Sequence, residues 1–237
     1  MNHQLSIIIP IFNEAEIIGD LLKHLITHSE TNLIKEIIVV DGGSTDTSSS
    51  IVNYFISEHK EISVRILTSE KGRAKQMNFG AQHAKGEILY FLHADSFPPQ
   101  GYDQYIINEI KKRNFAGCFR LQFDHKHWWL RIASWFTQFS WRACRGGDQS
   151  QFITKSLFKD IGGFDETYII YEDNILINEL YSRKEFVVIN KKIRTSARLY
   201  KKHGIWKLQY HFLAIYVKRW LGASAEELYA YYKKNIC

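Results

Sequence analysis

Leu5-Ser6-Ile7-Ile8-Ile9-Pro10-Ile11-Phe12-Asn13-Glu14 opens as a predominantly apolar run and closes on two polar residues. Leu5–Pro10 has strand length and is rich in β-branched side chains, the pattern of a strand buried in a sheet. A helical spacing of apolar residues follows over Glu14–His28. The same succession recurs as Ile37–Asp41 with Thr45–Glu58, as Val64–Leu67 with Ala74–Ala84, and as the run Ile88–His93. Strand and helix in alternation predict an α/β fold with a mostly parallel central sheet and helices on both faces. Ligands of such sheets sit at the carboxyl ends of the strands. Three of those ends carry carboxylates: Pro10-Ile11-Phe12-Asn13-Glu14, Asp41-Gly42-Gly43-Ser44-Thr45-Asp46 and His93-Ala94-Asp95-Ser96.

The second half is less regular. A strand is expected near Phe119–Phe123, a helix over Glu172–Arg183, and two short strands around Phe186–Ile189 and Ile193–Ala197. Two helices finish the chain, the last opened by the capping box Ser224-Ala225-Glu226-Glu227. The expected organisation is one domain over 1–200, with 201–237 as a helical extension packed on it. Between His127 and Trp141 lie four of the six tryptophans, and Trp128, Ile132, Trp135, Phe136 and Phe139 approximate a helical stripe. That stripe reads as core or as an interface in a homo-oligomer. Its cations Lys126, Arg131, Arg142 and Arg145 also suit an acceptor-facing surface or peripheral membrane contact.

Composition narrows the class. In 237 residues, 31 basic side chains exceed 25 acidic ones, giving a net charge of +6 that suits a polyanionic ligand. The charges are interspersed without a dense basic block, which argues against nucleic acid. Cys118, Cys144 and Cys237 form no CxxC pair and are expected as reduced thiols in a cytoplasmic protein. The N-terminus reads as a strand and not as a leader peptide, and no stretch approaches the ~20 apolar residues of a membrane helix.

Taken singly, the motifs have ordinary readings beside functional ones. Asp41-Gly42-Gly43-Ser44 lets the backbone approach a ligand, but a strand-to-helix turn capped by Ser44 wants the same residues. His93 and Asp95 at a strand end are credible ligands for Mg2+ or Mn2+, or a helix cap. Lys71-Gly72-Arg73-Ala74-Lys75 places cations beside helix N-terminal amides, a diphosphate site or a solvated basic face. Glu172-Asp173 supplies a general base, or acids favoured by a helix dipole. His203, in the basic cluster Arg198–Gly204, is a further candidate metal ligand or diphosphate contact.

Together, Ser6–Glu14, Asp41–Asp46, His93-Ala94-Asp95 and Gly162-Gly163-Phe164-Asp165 with Glu172-Asp173 resemble the inverting family-2 glycosyltransferases over roughly residues 5 to 180. Gly72–Ala81, Leu92–Asp95, Gly147-Asp148-Gln149 and Thr195-Ser196-Ala197-Arg198 are closest to a small bacterial arsenosugar-biosynthesis-like subgroup. The resemblance implies a GT-A fold and a hexosyltransferase. That enzyme moves a sugar from a nucleotide-diphosphate donor to an unknown acceptor, with inversion and a divalent metal. It implies a nucleoside pocket from Pro10, Phe12 and Glu14, with Asp41 accepting the imide hydrogen of uracil or the equivalent donor edge of guanine, and a UDP-sugar favoured over a GDP-sugar as donor. Arg73, Asn78 and His93 would complete the donor site, Asp95 the metal position, Asp173 with Glu172 the catalytic pair, and Gly147, Asp148 and Gln149 the acceptor side. His93 departs from the family's D-x-D, where the first position is an acid. A nucleotidyltransferase and a non-catalytic nucleotide-sugar-binding protein are the alternatives; the first would show a Gly-rich basic loop where Phe12–Glu16 is acidic.

Overall fold

The computed structural model describes residues 4–236. Among them, the strands β1 (Leu5–Ile11), β2 (Ile34–Asp41), β3 (Val64–Thr68), β4 (Ile88–Phe91), β5 (Ser96–Phe97), β6 (Ala116–Phe123), β7 (Gln151–Thr154) and β8 (Val187–Thr195) form one sheet. Its order is β3-β2-β1-β4-β7-β6-β8-β5. The neighbours β3, β2, β1 and β4 are parallel, as is β6 beside β8, whereas β7 and β5 run antiparallel to theirs.

Alternate residues of β1 face opposite cores, as a two-sided strand requires. Ile7, Ile9 and Ile11 pack with α1 (Ile18–Thr27), α2 (Ser48–Glu58) and α4 (Tyr102–Lys111). Ile8 packs on the other face with α3 (Arg73–His83), α6 (Lys155–Ile161) and α7 (Glu172–Ser182). The α3 helix comes close to the sheet: a Cβ at Gly80 would stand 2.6 Å from Ile8 Cγ2. The α/β fold with a largely parallel sheet between helices is therefore as the pattern predicts.

Several local expectations are corrected. The first two helices begin late, at Ile18 and Ser48. Asn13 is left-handed at φ 57°, and the N–H groups of Asn13, Glu14 and Ala15 donate to the side chains of Ser44, Ser48 and Asp46. The residues expected to open helices instead lace the β1 and β2 loops together, and Ser44 caps no helix. The two late strands are one, β8, with an irregularity where Ile189 pairs with Phe119 and Lys192 with Arg120. The polar residues Asn190 and Lys191 bulge out of a continuous ladder.

After α5 (Trp128–Phe136) and two short 3-10 turns at Arg142–Cys144 and Gly147–Gln149, the chain ends in α8 (Arg198–His203), α9 (Ile205–Trp220) and α10 (Ala225–Asn235). Ile170, Leu208, Ile215, Leu228 and Ile236 make a third small core that fastens the last two helices to the segment before α7. The Ser224 capping box forms in full. The core reading of the tryptophan stripe is overturned: Leu130 is the buried residue of α5, while Trp128, Ile132, Trp135 and Phe136 are exposed. Cys118 and Cys144 are free thiols, and Cys237 lies outside the described residues.

Candidate active site at the carboxyl rim of the sheet

The ends of β1 and β2 are held as one unit. Asp41 Oδ1 accepts from the Ser44 amide at 2.8 Å and hydroxyl at 2.7 Å, and its Oδ2 accepts from the Ser49 hydroxyl. Burial alone would push the Asp41 carboxyl up, but these hydrogen bonds outweigh it and hold the group below its usual range. Gln76, from α3, donates to the carbonyls of Ile11 and Val40 at 2.8 Å each, and it fills the space a Cβ on Gly42 would need. Pro10 is buried in β1 beside Val40. Phe12 is half-buried, and the Lys71 ammonium lies 3.5 Å from its ring centroid. A nucleobase stacking on that face would have to displace the ammonium.

The first turn of α3 has no side-chain cap, and Gly72 enters it at φ 140°. Its N-terminal amides are thus without a side-chain partner, as an anion site requires. Arg73 stands there with Nε 2.8 Å from Glu172 Oε1. Glu172 is fully buried; burial pushes its carboxyl up to about 7 although Arg73 pulls it back, and neighbouring Asp173 adds to the rise. Arg73 in turn is held well above its ordinary range by Glu172.

Asp173, beside Glu172 in the first turn of α7, faces the turn after β4. Its Oδ2 lies 3.8 Å from His93 Nε2, and His93 Nδ1 lies 3.8 Å from Asp148 Oδ1. Tyr171 directs this turn inward from a left-handed backbone at φ 75°. Gly147 leaves room for the carboxylate: a Cβ there would fall 1.9 Å from Asp173 Oδ2 and 3.0 Å from His93 Cε1. Asp95 lies on the other side of the same turn. Burial pushes its carboxyl up, Asp148 and Glu14 add to the rise, and His93 and Arg198 oppose it.

Arg198 is the participant whose role the sequence left unassigned. It donates to both oxygens of Glu14 at 2.7 Å each, with Nε 3.5 Å from Asp95 Oδ2. It joins the segment after β8 to the ends of β1 and β4, and its signals in the sequence are the motif Thr195–Arg198 and the basic cluster Arg198–Gly204. Glu14 is accordingly an anchor for Arg198 in this structure. Asn78 also spends its amide on the protein, accepting from the Phe164 N–H at 2.9 Å and donating to Phe164 O and Glu166 Oε1. It positions the Gly162–Asp165 loop. Gln149 is buried, accepting from Arg145 at 2.6 Å and donating to Cys144 O at 2.6 Å, whereas neighbouring Asp148 is exposed.

For a divalent ion the donors are sparse. Among the described residues no group of three or more His, Cys, Asp or Glu side chains could hold one, and His203, with a buried and unpartnered Nε2, joins Asp95 in no such group. Asp95, with its surplus of neighbouring acids, fits a divalent ion only if substrate oxygens complete the shell, a mode common for Mg2+ and its like. A cavity of about 460 Å3 meets Asp148 and Asp173 from the side of the C-terminal helices.

Known proteins share the fold. Over 97% of the chain the fold is similar to the mannosyltransferase PcManGT of Pyrobaculum calidifontis, solved in complex with GDP-Man and Mn2+ (TM-score 0.69, 19% identity, 69% of that chain). It is also similar to S. aureus TarS 1–349 in complex with UDP-GlcNAc (TM-score 0.64, 18% identity, 81% of this chain and 58% of that one). The glycosyltransferase GlyG of Streptococcus pneumoniae serotype 4 is 25% identical over 114 residues, 48% of this chain and 37% of GlyG. The uncharacterized glycosyltransferase YibD of Escherichia coli K12 is 25% identical over 207 residues, 76% of this chain and 58% of YibD. The chain thus spans between a third and three-fifths of the length of these two relatives. The family model "Glycosyl transferase family 2" matches residues 6–190, well over half of the sequence, and the chain belongs to that family.

Proposed function

We propose that the protein is an inverting glycosyltransferase of hexosyltransferase type that takes its sugar from a nucleotide-diphosphate donor. The observation that carries this reading is the convergence on one rim of Arg73, Glu172, His93, Asp148, Asp173 and Asp95 beside the uncapped start of α3. The donor nucleoside lies over the ends of β1 and β2, at Pro10, Phe12 and Asp41. Its diphosphate meets Arg73 and the α3 amides, which disperse the charge of the leaving group. Asp95, with oxygens of the diphosphate, would hold Mn2+ or Mg2+, which would supply further neutralisation of negative charge. Asp173 accepts the proton of the acceptor hydroxyl as its oxygen attacks the anomeric carbon. The bond from that carbon to the diphosphate oxygen breaks, its electron pair leaves with the nucleoside diphosphate, and the carbon inverts. His93, between Asp148 and Asp173, positions both carboxylates.

Relatives of this fold have been solved with GDP-Man and with UDP-GlcNAc. Asp41 offers a carboxylate to a base N–H, which uracil and guanine both carry, and of the two donors we take a UDP-sugar as the first to test. The motifs at 72–81, 92–95, 147–149 and 195–198 resemble the arsenosugar-biosynthesis-like grouping, a likeness that names no acceptor. A second observation favours peripheral membrane contact from the cytoplasmic side. Trp206, Tyr210, Leu213, Val217 and Trp220 form an exposed ridge along α9, and Trp206 meets Trp128 and Trp129 of α5. Exposed Lys202, Lys207 and Lys218 accompany it, the composition of an interfacial helix. Among the described residues no helix is long and apolar enough to cross a membrane.

Calorimetric titration of UDP- and GDP-sugars with and without Mn2+ tests the donor reading. At least one should bind in a Mn2+-dependent way, and absence of binding throughout the panel overturns it.

A further inference from the structure

We infer that the acceptor is a neutral molecule that carries its reacting hydroxyl on an apolar body; this rests on the glycosyl-transfer reading of Asp173. The cavity that meets Asp173 and Asp148 is formed by the end of β6, by α5, by residues 143–149 and by the C-terminal helices. Phe12 and Asp41 do not line it, so it lies apart from the proposed nucleoside end of the donor site. At about 460 Å3 it has the size of pockets that enclose small organic ligands.

Away from the two aspartates much of its wall is apolar: Phe136, Ile170, Leu199, Phe212 and Ile215 all contribute. Two of the tyrosines in the wall already use their hydroxyls within the protein. Tyr216 donates toward Arg145 O at 3.4 Å and Asn174 Oδ1 at 3.3 Å, and Tyr200 donates to Gln209 Oε1 at 3.2 Å. A body studded with hydroxyls would exchange water for walls with few open partners, which costs affinity. An apolar body gains by leaving water.

Charge argues in the same direction. Of the two arginines that line the cavity, one is committed to the protein and the other is taken up by Glu172 and by the donor diphosphate of the proposed reading. Arg145 is buried and donates to Thr137 O at 2.7 Å, Phe139 O at 2.6 Å and Gln149 Oε1 at 2.6 Å. Arg73 is paired with Glu172. Asp148 and Asp173 stand at the reacting end, where a phosphate or carboxylate on the acceptor would meet two like charges. A neutral hydroxyl meets instead a carboxylate able to take its proton.

The test is equilibrium binding of three probes to the full chain: n-octyl β-glucoside below its micelle concentration, glucose, and n-octyl phosphate. Octyl glucoside should bind at least about tenfold more tightly than either of the others, since only it combines an apolar body with neutrality. Ala143 is exposed and lines the cavity, so Ala143→Trp fills the space without disturbing the core. That change should weaken octyl glucoside about tenfold or more. Phe136→Ser should weaken it in the same direction, and serves if the tryptophan variant fails to fold. Glucose binding as well as octyl glucoside, octyl phosphate binding better, or octyl glucoside affinity unchanged in the folded variants each overturns the inference. The donor reading fails separately, if no nucleotide or nucleotide sugar binds the same preparation while octyl glucoside binding is intact.

Discussion

Gly147→Ala isolates the geometry of the site from its chemistry. The new methyl carbon would stand 1.9 Å from Asp173 Oδ2 and 2.6 Å from its Cγ, where ordinary contact begins at 3.4 Å. The carboxylate must therefore retreat by roughly 1.5 Å, measured against a van der Waals separation. What moves is the end of a side chain and not backbone, so the fold survives at a cost within the ~1–3 kcal/mol usual for overpacking. Gly147 has no positive φ that an alanine would strain. A misplacement of ~1 Å at a reacting group costs on the order of 10²-fold in rate. We therefore expect kcat for transfer, or for donor hydrolysis, to fall about 10²-fold, while nucleotide affinity stays within about threefold, because the proposed nucleoside contacts at Phe12 and Asp41 are untouched. Steady-state kinetics and calorimetry on the same preparation measure the two quantities. A folded Gly147→Ala enzyme with near wild-type turnover would refute the placement of Asp173 at the chemistry.

Asp95→Ala should abolish the tightening of nucleotide diphosphate binding by Mn2+ with the fold intact; calorimetry showing the same Mn2+ dependence removes Asp95 from the metal position. Glu172 takes up its proton more readily folded than unfolded, from an ordinary 4.5 to about 7. Its contribution to stability is thus fully present below about pH 4.5 and is lost as pH rises to about 7, a change on the order of 3 kcal/mol. Urea midpoints at pH 5 and 7.5 should differ more for the wild type than for Glu172→Gln, and equal pH dependence would contradict the shift. Replacing Trp206 and Trp220 by serine should weaken binding to anionic vesicles about tenfold; unchanged sedimentation with vesicles would remove the α9 ridge from membrane contact.

The parallel half of the sheet is legible because its strands are two-sided: Ile7 and Ile8 both needed a core, and the apolar run says so. The helix starts were misread because propensity cannot see that Ser44, Asp46 and Ser48 would claim the amides of residues 13–15. β7 and α4 went unread, since Gln151–Thr154 is short and its pairing with β4 is non-local. Asn190-Lys191 looked like a strand end because a bulge and a loop share polar composition. Within the site, Asp173, Glu172, Asp95, His93 and Arg73 were found through motifs at strand and helix ends. Asn78 and Gln149 stood in the same motifs, yet their amides serve the scaffold, a distinction only hydrogen-bond geometry draws. Arg198 was quoted without a role because its partners Glu14 and Asp95 lie far away in sequence.

Transfer from a nucleotide sugar by a single displacement at Asp173 leaves a stereochemical signature. Real-time NMR of the full chain with an α-linked donor such as UDP-GlcNAc or GDP-Man, Mn2+ present and water or an alkyl glycoside as acceptor, tests it most directly. Release of the nucleoside diphosphate is expected with the sugar first appearing in the β configuration, and at a rate about 10²–10⁴-fold lower in Asp173→Asn. A first-formed α product, or an Asp173→Asn enzyme as fast as the wild type, would contradict it.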